Sequence, residues 1–113
     1  MSETLELDDG RCLPLDRYGH LATAQNWDRG VAQALARRDG IRLNQDHWRV
    51  IEFVRGYYLN HGIEAPMRSL VKHLRESGAE HIAASRALYR LFPDGPVRQG
   101  HRYGGLPIPA SCI

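Results

Sequence analysis

The residue best suited to chemistry is a cysteine that lies one residue before the C-terminus. The last ten residues read GGLPIPASCI, so Cys112 follows two glycines and two prolines. Glycines let a chain change direction, and each proline keeps the residues around it extended. Fully extended, residues 104–113 reach about 33 Å at 3.3 Å per residue. The pattern predicts a flexible arm that delivers a thiol into the active site of another protein.

A thiol at the end of such an arm can handle sulfur in two ways. Exchange into disulfides normally uses a second, resolving cysteine close by, whereas a persulfide needs only one cysteine. The arm contains one cysteine, Cys112, and therefore favours Cys112 as a catalytic residue that carries sulfane sulfur. A C-terminus that is simply disordered is the alternative that the residues leave open.

The other candidates for chemistry give weaker patterns. Cys12 lies beside Leu13 in a predicted strand, where a small buried cysteine is expected. Two cysteines are too few for a disulfide framework, and a bond between Cys12 and Cys112 would need Cα atoms about 5.5 Å apart. The six histidines lack the close spacing of metal ligands, and the chain has no glycine-rich phosphate loop. We expect neither a metal nor another cofactor.

Length and composition are typical of one globular domain. The chain has 113 residues, of which 42% are hydrophobic and 25% charged, so we predict a single domain over residues 1–113. No apolar run approaches the roughly 18 residues that span a bilayer, and the acidic N-terminus lacks the apolar region of a secretory signal. We therefore expect a cytoplasmic protein without a membrane partner.

The net charge of +2 is distributed unevenly along the chain. Residues 1–65 carry 8 arginines against 10 acidic residues, whereas residues 66–113 carry 7 basic residues against 3 acidic ones. The second half therefore predicts a basic surface, which would suit an acidic protein, an RNA or an anionic sulfur species. Scatter of charges in a short chain is the simpler explanation, and the sequence leaves it open.

The elements that must position the arm change type near Asn26. Alternating apolar residues around an Asp-Asp-Gly turn predict a β-hairpin or small antiparallel meander over residues 1–22. Beyond it, apolar residues recur at helical spacing, which predicts a helical array over residues 25–103, with Asn44 as the N-cap of its second helix. The fold class is therefore α+β and helix-dominated, with a small sheet packed on about five helices and an extended arm over residues 104–113.

One pair of predicted helices has the outline of a helix-turn-helix. Residues 66–76 form the first helix, a short glycine-containing turn follows, and residues 81–91 form the second. The second helix carries Arg86 and Arg90, but its first turn has few polar side chains that could read bases. DNA binding through this segment remains an alternative, although direct binding of nucleic acid is disfavoured.

Ordered blocks of residues along the chain resemble a known family. They share their order and spacing with it, and they end at the penultimate cysteine. As they stand here, the blocks are Asn26-Trp27, Val31-Ala32, Gly40-Ile41-Arg42-Leu43, His47-Trp48, Arg55-Gly56-Tyr57-Tyr58, Ala65-Pro66, Arg68-Ser69-Leu70-Val71-Lys72, Leu88-Tyr89-Arg90-Leu91-Phe92-Pro93-Asp94-Gly95-Pro96, Gly104-Gly105-Leu106-Pro107 and Cys112. From about Gly19 to Ile113, the sequence resembles the DsrC/TusE family of sulfur carriers, which includes the gamma subunit associated with dissimilatory sulfite reductase.

This resemblance implies a function and a set of partners. Members of the TusE type accept sulfur as a persulfide on the penultimate cysteine. They take it from a TusBCD-like complex and pass it to a tRNA 2-thiouridylase that modifies the wobble uridine. The resemblance thus implies a sulfurtransferase that acts as a persulfide carrier through Cys112, without turnover of a small substrate on its own. Members of the DsrC type work with dissimilatory sulfite reductase, and an accessory or regulatory role of that kind is the alternative.

Three positions depart from the family pattern. DsrC-type members carry a second arm cysteine that closes a disulfide, and here the matching position, eleven residues before Cys112, is His101. That departure favours the TusE type. Ile108 replaces a lysine that could stabilise a thiolate, and Tyr103 stands where a small or aliphatic residue is expected. The candidates for supplying the missing positive charge, if the arm folds back, are Arg98, His101 and Arg102.

Overall fold

The computed structural model describes residues 3–113 and begins with a short β-hairpin. Strand β1 (Thr4–Glu6) pairs antiparallel with β2 (Cys12–Pro14), with Leu5 opposite Leu13. Both leucines face the core because alternate residues of a strand point to opposite faces. The predicted Asp-Asp-Gly turn joins the strands, and Gly10 adopts the left-handed conformation that the turn requires. The predicted hairpin is therefore confirmed.

The third strand of the predicted meander is reduced to one bridge between Leu15 and Leu21 in the part of the chain described. Between these residues the chain folds into a tight turn. The carboxylate of Asp16 accepts hydrogen bonds from the backbone amides of Tyr18 and His20, at 2.9 and 3.0 Å. A short polar side chain that binds the backbone ahead of it favours a turn over a continuing strand.

Five α-helices follow the hairpin and make up nearly half of the described residues. Their bounds are α1 Arg29–Arg38, α2 Gln45–His61, α3 Met67–Glu76, α4 Ser85–Leu91 and α5 Pro96–Tyr103. Three short 3-10 turns accompany them, at Ala24–Asn26, Glu80–Ile82 and Ala110–Cys112. The fold is α+β and helix-dominated, as the sequence predicts.

The start of the longest helix, α2, was correctly predicted because its signal is local. The side chain of Asn44 accepts hydrogen bonds from the amides of Asp46 and His47, and Nδ1 of His47 accepts one from the amide of Asn44. This reciprocal arrangement is a capping box. At the other end, Gly62 has a φ of 73° and closes the helix in the left-handed conformation.

The fourth helix was predicted from residue 81, but it begins at Ser85. The preceding residues form a 3-10 turn, and Ala84 is extended, with a ψ of 147°. This path buries Ile82 and Ala83, whereas His81 stays exposed and bonds to Asp46 at 2.9 Å. Burial of the two apolar residues therefore overrides the helical pattern read from the sequence.

The last helix, α5, packs against both α1 and α2. Gly100 permits close approach to α2, since a Cβ at this position would lie 3.3 Å from Val54. The arm leaves the end of α5 at Tyr103, so the packing of this helix fixes where the arm starts. Over residues 3–113, no helix combines the length and the apolar composition needed to cross a bilayer.

Candidate functional site: the C-terminal arm

Cys112 lies in the last turn of the chain, where it is partly exposed. Its amide donates a hydrogen bond to the carbonyl of Pro109 at 2.9 Å, which closes the terminal 3-10 turn. The neighbouring Ser111 hydroxyl donates to a carboxylate oxygen of Glu64 at 2.9 Å, and Ile113 is 76% exposed. The thiol is free, so the predicted catalytic group stands at an accessible end of the chain.

The arm consists of a root, residues 104–107, and a tip, residues 108–113, which differ in how they are held. At the start of the root, two side chains of the body bind successive backbone carbonyls. The indole N–H of Trp27 donates to the carbonyl of Tyr103 at 2.7 Å, and the guanidinium of Arg55 donates to that of Gly104 at 2.5 Å. Arg55 also stacks over the ring of Trp27 at 4.0 Å. The two side chains therefore contact each other, and together they hold the backbone at the start of the root.

Two buried histidines bind the next pair of carbonyls. Nδ1 of His20 lies 2.9 Å from the carbonyl oxygen of Leu106, and Nδ1 of His101 lies 2.9 Å from that of Pro107. A carbonyl oxygen only accepts, so each Nδ1 carries the proton. Burial lowers the pKa of both histidines, although these hydrogen bonds oppose the effect. Both rings are therefore neutral donors at neutral pH.

The two glycines of the root serve close packing. A Cβ on Gly104 would lie 2.6 Å from the carbonyl oxygen of Gly100, and one on Gly105 would lie 2.5 Å from the ring of Trp27. Gly105 also has a φ of 73°, which disfavours any other residue. The structure thus gives these glycines a different role from the predicted pivot. The flexibility of the arm stays a prediction.

The arm tip and the body line a partly open cavity of about 720 Å³, which we call the arm cavity. The body contributes the C-terminal end of α2, the loop after it and α5. From the tip, Ile108, Ser111 and Ile113 line the cavity, and so do Glu64 and His101. Cys112 therefore stands between two residues that face one mostly apolar space.

The departures from the family pattern have distinct structural roles. Ile108 is buried and lines the arm cavity, so this apolar side chain anchors the tip where a lysine would have to reach water. Tyr103 is fully buried, and its hydroxyl donates to Asp39 at 2.7 Å. Burial first, then this bond, raises the pKa of Tyr103. The tyrosine thus ties the end of α5 to the end of α1.

The three candidates for a positive charge near the thiol are placed differently. Arg102 is bound to Asp39 at 2.8 Å and to the carbonyl of Gly19, so its guanidinium is paired with these groups. His101 is buried and neutral beside the root. Arg98 is exposed on α5. The structure therefore brings only His101 into the same cavity as the residues that flank Cys112.

The prediction for Cys12 was wrong, since this residue is exposed. Leu13 points into the core, so its neighbour in the strand must point to solvent. Sequence reasoning also missed the root contacts of Trp27, Arg55 and His20. The first two stand in the family blocks, but nothing in the sequence ties His20 to the arm.

Two further observations concern metal binding and DNA binding. Among residues 3–113, no three histidine, cysteine or carboxylate side chains lie together in a way that could hold a metal ion. The helix that would contact the bases in the helix-turn-helix outline, α4, has only seven residues. The arrangement is that of a small helical protein that presents one cysteine at the end of an arm clamped to its body at the root.

Comparison with known proteins identifies the family. The model of the family described as "DsrC like protein" matches residues 8–113. The Sulfurtransferase TusE of Sodalis glossinidius is 40% identical over 105 residues, which cover 93% of this chain and 97% of that protein. The Sulfurtransferase TusE of Yersinia pseudotuberculosis is 39% identical over the same share of this chain. The chain belongs to the DsrC-like family.

Solved structures agree with this assignment. The NMR structure of Allochromatium vinosum DsrC has a TM-score of 0.83 and 36% identity, and the match covers all of both chains. The crystal structure of the oxidized gamma-subunit of the dissimilatory sulfite reductase from Archaeoglobus fulgidus has a TM-score of 0.85 and 35% identity. That match covers 98% of this chain and 100% of that one.

Proposed function

We propose that this protein is a sulfur carrier that accepts sulfane sulfur as a persulfide on Cys112 and passes it to a partner protein. The observation that carries the proposal is the placement of a free, partly exposed thiol at the end of an arm whose root is fixed to the body. Relatives named Sulfurtransferase TusE, about 40% identical over most of the chain, support it.

The chemistry requires a thiol and no cofactor. The thiolate of Cys112 attacks the outer sulfur of a donor persulfide, and the donor's sulfur–sulfur bond breaks. The donor cysteine leaves as a thiolate, while Cys112 retains the outer sulfur as a persulfide. In the second transfer, an acceptor thiolate attacks that outer sulfur, and Cys112 leaves as a thiolate. Each transfer breaks one sulfur–sulfur bond and forms another, so no external oxidant or reductant is consumed.

The relay that best suits this carrier is the thiolation of the tRNA wobble uridine. In that relay a TusBCD-like complex donates the sulfur and a tRNA 2-thiouridylase-like enzyme accepts it, in the cytoplasm. Histidine at position 101 supports this assignment, since an arm with Cys112 alone has no second thiol with which to close a disulfide. The protein acts as a transferase between proteins and not on a free small substrate.

A second candidate is an accessory role in sulfite reduction or sulfur oxidation. It is favoured by structural similarity to a protein described as the gamma-subunit of dissimilatory sulfite reductase. DNA binding through the helix-turn-helix outline has less support, because the second helix begins only at Ser85 and has only seven residues. Salt-dependent DNA binding that falls in Arg86→Ala and Arg90→Ala, and is unchanged in Cys112→Ser, would favour that role.

Intact-mass analysis tests the proposed function. After incubation with a persulfide-bearing donor protein, the wild-type protein should gain the mass of one sulfur atom, and a reducing thiol should remove it. Cys112→Ser should gain nothing. Cys12→Ser is the matched control because it removes the other exposed thiol, and it should load like the wild type. Gain of sulfur by Cys112→Ser would contradict the proposal.

A further inference from the structure

His101 carries a buried polar atom whose hydrogen-bonding capacity is unused. Its ring is fully buried, and Nδ1 donates to the carbonyl of Pro107. With the proton on Nδ1, Nε2 holds a lone pair and accepts hydrogen bonds. Within residues 3–113, Nε2 has no hydrogen-bond partner. Buried polar atoms are nearly always paired, so the lone pair of Nε2 is available to a donor that comes within reach of it.

The surroundings of His101 suggest which donor this is. The ring lines the arm cavity, and so do Ser111 and Ile113, the two neighbours of Cys112. The hydrogen bond between Ser111 and Glu64 holds the turn that contains Cys112 at the edge of the cavity. We expect a rearrangement of the last four residues, with the arm root in place, to turn the side chain of Cys112 inward.

The chemistry of the cavity matches a neutral sulfur group. A hydropersulfide, R–S–S–H, has a weakly donating S–H and an apolar sulfur surface. A space with mostly apolar walls favours its neutral form over the anion. His101 is suited to accept from this S–H because burial lowers the pKa of its ring, against the hydrogen bond to Pro107 and the charge of Glu64, and thereby keeps Nε2 unprotonated.

We propose that the arm cavity is the resting site of the outer sulfur of a Cys112 hydropersulfide, whose S–H donates a hydrogen bond to Nε2 of His101. The inference rests on the proposed function, in which Cys112 carries sulfur. It adds a partly enclosed site that shields the loaded sulfur from stray thiols until a partner withdraws the tip. His101 is thus a positioning residue for the cargo.

The test loads Cys112 chemically, so that it needs no donor protein. In a Cys12→Ser background, Cys112 is converted to a mixed disulfide with thionitrobenzoate. Hydrosulfide then attacks the sulfur of Cys112, thionitrobenzoate leaves, and a Cys112 hydropersulfide remains. The rate at which a small monothiol removes the outer sulfur is followed by intact mass.

Two matched variants isolate the role of Nε2. His101→Asn retains an N–H that can donate to the carbonyl of Pro107 but has no counterpart of Nε2. His20→Asn makes the same change at the other buried histidine, which bonds to the carbonyl of Leu106 and lies outside the arm cavity. We expect His101→Asn to lose its outer sulfur about fivefold faster than the parent. His20→Asn should lose it at the parent's rate.

Equal rates in His101→Asn and its parent would overturn the inference, and so would equal acceleration in both variants. If a variant fails to fold, ¹⁵N imidazole shifts of the parent decide. Loading should move the Nε2 resonance of His101 and leave that of His20 in place, whereas an unmoved resonance would refute the site. If the chemically loaded sulfur is protected but no donor protein can load Cys112, the proposed function alone would be overturned. Normal loading by a donor with no effect of His101→Asn would overturn this inference alone.

Discussion

The root and the tip of the arm are adjacent in sequence, but the body holds them in different ways. Side chains from the body bind the carbonyls of Gly104, Leu106 and Pro107 in the root and of Tyr103 before it, and the root's glycines and Leu106 are buried. The tip rests on the burial of Ile108 and Pro109 and on the hydrogen bond from Ser111 to Glu64.

On the proposed function, this difference predicts a hinge of the arm after Pro107. The six residues of the tip reach about 20 Å when fully extended, against about 33 Å for the whole arm. A fixed root would shorten the distance that the thiol can travel, but it would also reduce the conformational freedom lost on binding a partner. Variants that change the root and the tip separately distinguish these two effects.

The largest effect should come from adding a single carbon to the root. Gly105→Ala places a Cβ 2.5 Å from the ring of Trp27, at a φ of 73°. The left-handed conformation and the overlap together should cost about 3 kcal/mol, which lowers the thermal unfolding midpoint by about 10 °C. The measurement is thermal unfolding followed by circular dichroism.

Gly40→Ala is the matched control for this prediction. Gly40 also has a positive φ, 77°, but no described atom lies within 4 Å of a Cβ placed there, apart from its chain neighbours. The control should show only the backbone cost, about 1 kcal/mol. Equal losses in the two variants would mean that the root is not packed against Trp27.

A smaller effect is expected from acidification, through the histidines of the root. The folded-state pKa values of His20 and His101 lie below the ordinary value of about 6.5. The stability linked to them is therefore present above about pH 6.5 and is lost as the pH falls through the lowered values. We expect the unfolding midpoint to fall between neutral pH and about pH 5, and to fall less when both residues are replaced by asparagine.

Charged groups near the rings of His20 and His101 also shift their pKa values. Asp16 opposes the lowering of the His20 pKa while Arg102 and His101 add to it, and Glu64 opposes the lowering for His101. His47 is also buried and also has a lowered pKa. Because it is unchanged in the double variant, it accounts for the pH dependence of the unfolding midpoint that remains. A double variant with the same pH dependence as the wild type would contradict the role of the root histidines.

The smallest effect on stability should come from weakening the contacts that hold the tip. The same change should clearly raise the reactivity of the Cys112 thiol. Ile108→Ala removes buried apolar surface worth about 1–2 kcal/mol while the root stays bound. In a Cys12→Ser background, the rate of alkylation of Cys112 by iodoacetamide should rise about fivefold. Ile63→Ala, at an exposed position of the same cavity, should leave it unchanged. An unchanged rate in Ile108→Ala would show that Ile108 does not restrain the tip.

The parts of the fold that were predicted depend on neighbours in sequence. The hairpin turn at Gly10 and the N-cap Asn44 are set by residues within a few positions, so their patterns could be read directly. The start of α4 at Ser85 was missed because burial of Ile82 and Ala83 against distant elements outweighs local propensity.

The sequence singles out Cys112 as the candidate reactive group, and that role stays a prediction. The contacts that hold its arm could not be predicted from the sequence. The bond from Trp27 to Tyr103 spans 76 residues, and that from His20 to Leu106 spans 86. Pairings at such separations depend on the packing of the whole domain, and no local pattern in the sequence encodes them.

We expect the thiol to move on the tip while the root stays fixed to the body. Backbone ¹⁵N relaxation along residues 104–113 tests this expectation most directly. Order parameters should be about 0.85 for the amides of Gly104, Gly105 and Leu106, and below about 0.6 for Ser111 and Cys112. Low order parameters that begin at Gly104, or rigid values through Cys112, would contradict it.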